Sequence, residues 1–122
     1  MNEWFLIGGA VLSLVGMIFH GVVGGRVYMG NVNDSNMEAL TKSLSLISWH
    51  VFTIFLLVSA LTLAYAAYDS NFTGAVLPII GVNILGAGLF IALGLGSHSV
   101  LLKLPGAYLM GGTALLAWLG VQ

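Results

Sequence analysis

Cysteine is absent from this 122-residue chain, which removes disulfides, thiolate metal sites and thiol nucleophiles together and leaves the redox compartment unread. Charge is nearly absent as well: Lys and Arg number 3, Asp and Glu number 4, and charged residues make up 6% of the sequence. A soluble domain of this size covers itself with interspersed charges of both signs, so most of this surface has to meet lipid. A net charge of −1 offers no basic patch for nucleic acid and no polybasic segment for anionic lipid. No Pro- or Ser-rich linker divides the chain, and its length suits one domain, residues 1–122. The Gly-x-Ser-x-Gly elbow and the Walker phosphate loop are missing too. The pairs Gly8-Gly9, Gly24-Gly25 and Gly111-Gly112 fall within apolar runs or at their ends, where helix packing and termination account for them.

Apolar sequence is what the chain has in abundance, at 59% hydrophobic residues. A hydrocarbon core about 30 Å thick needs about 20 such residues per helix. Four apolar windows reach that length, uncharged except for Lys103 in the last: Trp4–Gly24, Ser43–Tyr68, Gly74–Gly96 and Val100–Val121. The pattern predicts an all-α integral membrane protein, a compact bundle of four transmembrane helices with antiparallel neighbours and short loops. Its helices are expected near residues 4–24, 36–68, 74–96 and 100–121. Pro105-Gly106 either opens a shorter fourth helix or kinks a longer one that starts near Ser99.

Between the first two windows, Gly25 to about Asp34 reads as the one sizeable loop. It is closed by Ser35-Asn36-Met37-Glu38, which has the form of a capping box, and Glu38 stands four residues before Lys42 in the order that favours pairing. The second connection, Asp69 to Thr73, is a short polar turn whose Asp, Ser or Asn caps the third helix. Met1-Asn2-Glu3 lacks the positive start of a signal peptide, so the first window reads as a retained helix. Arg26 and Lys42 flank the first connection and Lys103 lies beside the third, while the opposite side has no basic residue. The positive-inside rule then places those two connections in the cytoplasm and both termini outside, in the inner membrane of a cell.

On this topology the rare polar residues gather at one end. His20 lies about 6 Å below the expected end of the first helix, at one turn before Gly24, and His50 lies about two turns into the membranous part of the second. The two helices run antiparallel, so both depths are measured from the same side. His98, Tyr28, Asp34, Glu38 and Lys42 belong to that side as well. Gly9, Ser13, Gly16, His20 and Gly24 fall within an arc of about 80° on the first helix, a small-residue stripe that turns His20 toward another helix, with His50 near its level and Thr53 a turn deeper. Asn83 falls near mid-membrane on the third helix, where its amide needs a partner. The fourth helix offers Ala107, Gly111, Ala114 and Trp118 as its stripe.

Three functions compete for this pattern, each against a purely structural role. A neutral imidazole can simply donate one hydrogen bond and stabilise packing. Alternatively, His20 and His50 form a cofactor-binding site near the cytoplasmic face for a metal ion or haem, with His98 and Glu38 completing a metal shell and Tyr28, Thr53 and Asn83 as further polar members. Ionisable groups inside membrane helices also mark transport and proton-relay paths. In size and helix number the chain resembles the small multidrug-resistance transporters, which work as dimers through a membrane-embedded Glu in their first helix. Here the first helix carries no acidic residue beyond Glu3, which excludes that identity. The remaining class is an accessory or assembly subunit of a larger membrane complex, or a homo-oligomer, joined through a second small face on the third helix at Gly81, Gly88, Ala92 and Gly96.

Overall fold

The computed structural model describes residues 1–122 and is all-helical. Helix α1 spans Glu3–Asp34, α2 Ala39–Tyr68, α3 Val76–Leu95 and α4 Gly106–Val121. Short 3-10 turns at Ser70–Ala75 and Ser99–Lys103 lead into α3 and α4. Three of the helical segments are long and apolar enough to cross a membrane: α1, α2, and α3 together with its leading turn.

Helix α1 departs most from the sequence expectation. The stretch from Gly25 to Asp34 is helix, where a loop was expected. Gly24 and Gly25 keep helical backbone angles, with φ of −63° and −60°, because no proline or capping side chain stops the chain there. The helix instead passes through a π turn at Phe19–Gly24, which takes in one extra residue and then resumes α geometry. Its start is capped by Asn2, whose side chain accepts the Trp4 N–H at 3.2 Å.

The capping box at Ser35 to Glu38 does not form. Ser35 serves the end of α1: its hydroxyl donates to the Val32 carbonyl and accepts the Met37 N–H at 3.3 Å. Glu38 precedes α2 without a side-chain cap, so that helix starts at Ala39 rather than near residue 36. Lys42 turns away from Glu38 and donates to the Asn33 carbonyl at 2.7 Å, satisfying one of the carbonyls that the end of α1 leaves free. At the next turn Asp69 accepts the Asn71 N–H at 3.0 Å, and Pro105-Gly106 forms the first turn of a short α4, with Leu109 N–H bonded to the Pro105 carbonyl at 2.9 Å.

Helix α1 packs along both α2 and α4, and α4 packs along α3, whereas α2 and α3, though consecutive in the chain, touch only sparsely. Large side chains seat on glycines throughout. Leu6 lies against Gly120, Leu12 against Gly112, Leu63 against Gly9, Met110 against Gly86 and Phe90 against Gly106. These contacts bring the backbones close, and in lipid that closeness supplies much of the packing energy. On α4 the inward side chains are Ala107, Met110, Thr113, Ala114, Ala117 and Gly120, and the expected stripe shares only Ala107 and Ala114 with them. Gly111 is half-buried and Trp118 half-exposed, because α4 must serve both α1 and α3 and so turns a wider face inward.

An added methyl at Gly120 would lie 2.6 Å from the Leu6 side chain and 3.0 Å from its backbone nitrogen, whereas nothing lies within 4 Å of the corresponding point at Gly88. Gly120→Ala should therefore lower stability by about 1–3 kcal/mol, and Gly88→Ala should leave it unchanged or raise it. Thermal unfolding in detergent compares the two directly, and equal losses would contradict the packing.

Candidate functional site

Where α1 meets α2, three residues within about one turn of α2 lie against α1: Trp49, His50 and Thr53. Across from them α1 presents Gly21, Gly24 and Gly25, and the absence of side chains there is what admits the larger groups. A methyl at Gly24 would stand 2.9 Å from the Trp49 ring, and one at Gly21 would stand 2.8 Å from the Thr53 methyl. The π turn aims His20 into the same seam. Trp49 is held on both faces, with His20 stacked at a centroid distance of 4.1 Å and an interplanar angle of 11°, and Tyr28 at 4.4 Å and 15°. Its indole N–H donates to the His20 carbonyl at 3.0 Å. That carbonyl also accepts the Gly25 N–H across the π turn. Phe52 meets the His20 ring edge-on at 5.1 Å.

Thr53 joins the two histidines. Its hydroxyl lies 2.9 Å from His20 Nδ1 and 3.4 Å from His50 Nδ1, and it reaches the Trp49 carbonyl of its own helix at 3.4 Å. A hydroxyl has one proton and two lone pairs. When that proton goes to the Trp49 carbonyl, both lone pairs accept from Nδ1–H groups, one from each ring. The two imidazoles are then in the same tautomer, with bare Nε2 atoms and no protein hydrogen bond on either. Imidazoles oriented in this way ligate a metal through Nε2 while the other nitrogen is held by a neighbour.

His98 and Glu38 are exposed, with His98 preceding the Ser99–Lys103 turn and Glu38 preceding α2. No three of the chain's His, Asp and Glu side chains converge to hold an ion, so the four-residue shell of His20, His50, His98 and Glu38 is not assembled. Asn83 is fully buried on α3, where its Nδ2 donates to the Ile79 carbonyl at 2.9 Å. Tyr28 reaches the site only through Trp49. A surface furrow of about 550 Å³ runs between the Glu3 end of α1 and the Tyr68 end of α2 and contains none of the histidines. Sequence reasoning placed Trp49 only in the inner half of the membrane and missed its place between His20 and Tyr28. The signal was available in Gly21, Gly24 and Gly25, three glycines on the α1 segment that faces it.

No protein-family model matches the chain, and no curated protein or solved structure matches it either.

Gly24→Ala pushes a methyl into the rigid Trp49 ring and should cost about 1–3 kcal/mol. It should also change the emission of Trp49, read in a Trp4→Phe, Trp118→Phe background, because the indole leaves its stack on His20. Unchanged stability and unchanged emission would show that the indole is not seated on Gly24.

Proposed function

We propose that this chain is an integral membrane protein that crosses the bilayer four times and binds a metal ion through His20 and His50. Both termini lie outside, and the metal lies near the cytoplasmic face of the inner membrane. The count of four rests on α4 together with its leading turn: α4 alone is about 24 Å long, short of the roughly 30 Å core, and the Ser99–Lys103 turn packed on α3 makes up the difference. The orientation rests on Arg26, Lys42 and Lys103 at one end.

One observation carries the metal reading: a single hydroxyl meets both imidazoles at Nδ1, which leaves the Nε2 of each ring without a protein hydrogen bond. The same geometry disfavours haem held between the two rings. Through the shared oxygen the two Nδ1 atoms are at most about 6.3 Å apart, the sum of 2.9 and 3.4 Å. Imidazoles on opposite faces of one iron, with bonds of about 2 Å, would hold them about 8 Å apart. A zinc or copper ion coordinated from one side needs no such separation. Its remaining positions would be open to water or an exogenous ligand.

Transport has less support. Beyond the histidines the Glu3 end of the bundle is filled by an apolar cluster that includes Leu6, Leu63, Ala66, Val76 and Ala117, each without solvent exposure, and no polar path continues through it. An accessory role in a larger complex draws on α3, where Gly81 and Gly88 face outward with nothing within 4 Å. If that face is occupied in the cell, a membrane partner or second copy is retained on gentle solubilisation and is lost in a Gly81→Leu, Gly88→Leu variant.

For the metal, chelator-treated protein in mild detergent should take up one zinc or cuprous ion per chain, measured by elemental analysis and equilibrium dialysis. His20→Ala and His50→Ala should abolish uptake, and Thr53→Val should weaken it about 10–100-fold by releasing the ring that Thr53 orients. Wild-type protein that binds neither ion would sink the proposal.

A further inference from the structure

Away from the histidines the protein buries four polar side chains: Ser13, Ser59, Asn83 and Thr113, at 2%, 0%, 0% and 1% exposure. Each helix contributes one. In an antiparallel pair, a step along one helix is matched by a step back on the other, so one contact fixes the level of its neighbours. Met110 against Gly86 and Ala87 against Gly111 put Thr113 level with Asn83 on the α3 and α4 pair. Leu12 against Gly112 puts Ser13 level with Thr113, and the Ser13 hydroxyl reaches α2 at the Leu56 carbonyl, one turn from Ser59. The four residues form one layer, roughly 13 Å from the Glu3 end of the bundle and so near the middle of a core about 30 Å thick.

Most of the donors in this layer are engaged. Ser13 donates to the Leu56 carbonyl at 2.9 Å, Thr113 to the Leu109 carbonyl at 2.8 Å, and Asn83 Nδ2 to the Ile79 carbonyl at 2.9 Å. Two buried atoms have no partner: the Ser59 hydroxyl on α2 and Asn83 Oδ1 on α3. One is a donor and the other an acceptor. They belong to α2 and α3, which follow one another in the chain yet touch only sparsely. An unmade hydrogen bond at this depth has no solvent to fall back on, because lipid offers no partner.

We propose that the layer binds one water molecule between α2 and α3. The Ser59 hydroxyl donates to the water oxygen, and the water donates one proton to Asn83 Oδ1. Its second proton goes to a free lone pair of Ser13 or Thr113, which gives the water the three bonds typical of a buried site. A cation is a poorer occupant. The layer is made of neutral groups, with no carboxylate to balance a charge removed from water.

Water-edited solid-state NMR on the full chain in lipid bilayers tests this. Magnetisation from water should reach the Asn83 side-chain amide and Ser59 Cβ well before it reaches Leu63 and Ile79, each one turn nearer the Glu3 end. Equally slow build-up at all four positions would overturn the proposal. Ser59→Ala, a small change in a packed site, should produce a loss of transfer at Asn83, and unchanged transfer there would overturn the bridge. A direct Ser59 Oγ to Asn83 Oδ1 hydrogen bond in a high-resolution structure would overturn it as well.

Discussion

Side chain on glycine is the contact on which this structure depends. Lipid is as apolar as leucine, so burying leucine against leucine drives helices together only weakly, and close packing has to supply what hydrophobicity does not. The bundle meets that constraint with large residues set over glycines along its seams: Leu6 on Gly120, Leu63 on Gly9, Met110 on Gly86 and Phe90 on Gly106. The histidine seam follows the same rule, with an indole in place of an aliphatic chain. Trp49 can lie against α1 only because Gly24 and Gly25 are bare on that side. Once the indole is there, its neighbours follow: His20 and Tyr28 cover its faces, and Thr53, one turn further along α2, meets His20 Nδ1.

The two polar features of the molecule differ in kind. Around Thr53 a single hydroxyl meets two rings at Nδ1 and leaves the Nε2 of each without a protein hydrogen bond. In the central layer, Ser13, Asn83 and Thr113 give protons to nearby backbone carbonyls, and the unmet groups face inward. Small hydroxyls bonded to helix carbonyls are a tolerated way to place polarity in lipid. An asparagine oxygen and a serine hydroxyl left over at the same depth are not, and that difference separates a packing feature from a binding one.

Much of this was legible in the sequence, for reasons that can be traced. Charge scarcity and window length identified the apolar helices, and the spacing of Gly9, Ser13 and Gly16 identified the inward side of the first one, where all three are buried. The same spacing carried His20 toward α2. What stayed hidden was hidden by ambiguity in glycine. Gly24-Gly25 reads as a helix terminator from composition, yet with no proline or cap nearby the chain stays helical and the glycines serve as a seat for Trp49 instead. Ser35 to Glu38 likewise carries the letters of a capping box, but Ser35 has already been taken by the end of α1. A tryptophan near a membrane boundary suits an interfacial belt equally well, so nothing local marked Trp49 as the centre of a stack. Ser59 and Thr113 gave no periodic signal, because a lone hydroxyl in an apolar helix looks the same facing lipid or facing inward.

The π turn at Phe19–Gly24 has a consequence for how this protein can change. A π turn is an α-helix with one residue added, so it behaves as an angular offset: everything after it is rotated by about 100° relative to an uninterrupted helix. The segment before the turn is phased to meet α2 and α4, and the segment after it is phased so that Tyr28 meets Trp49. Losing a single residue between Phe19 and Gly24 would restore an uninterrupted α-helix with its two halves still in phase, whereas forcing the full sequence into unbroken α geometry would swing Tyr28 by about 100° away from Trp49. Along that stretch a one-residue change in length can be absorbed by the turn, while substitution at Gly21 or Gly24 cannot, because Thr53 and Trp49 are seated on them.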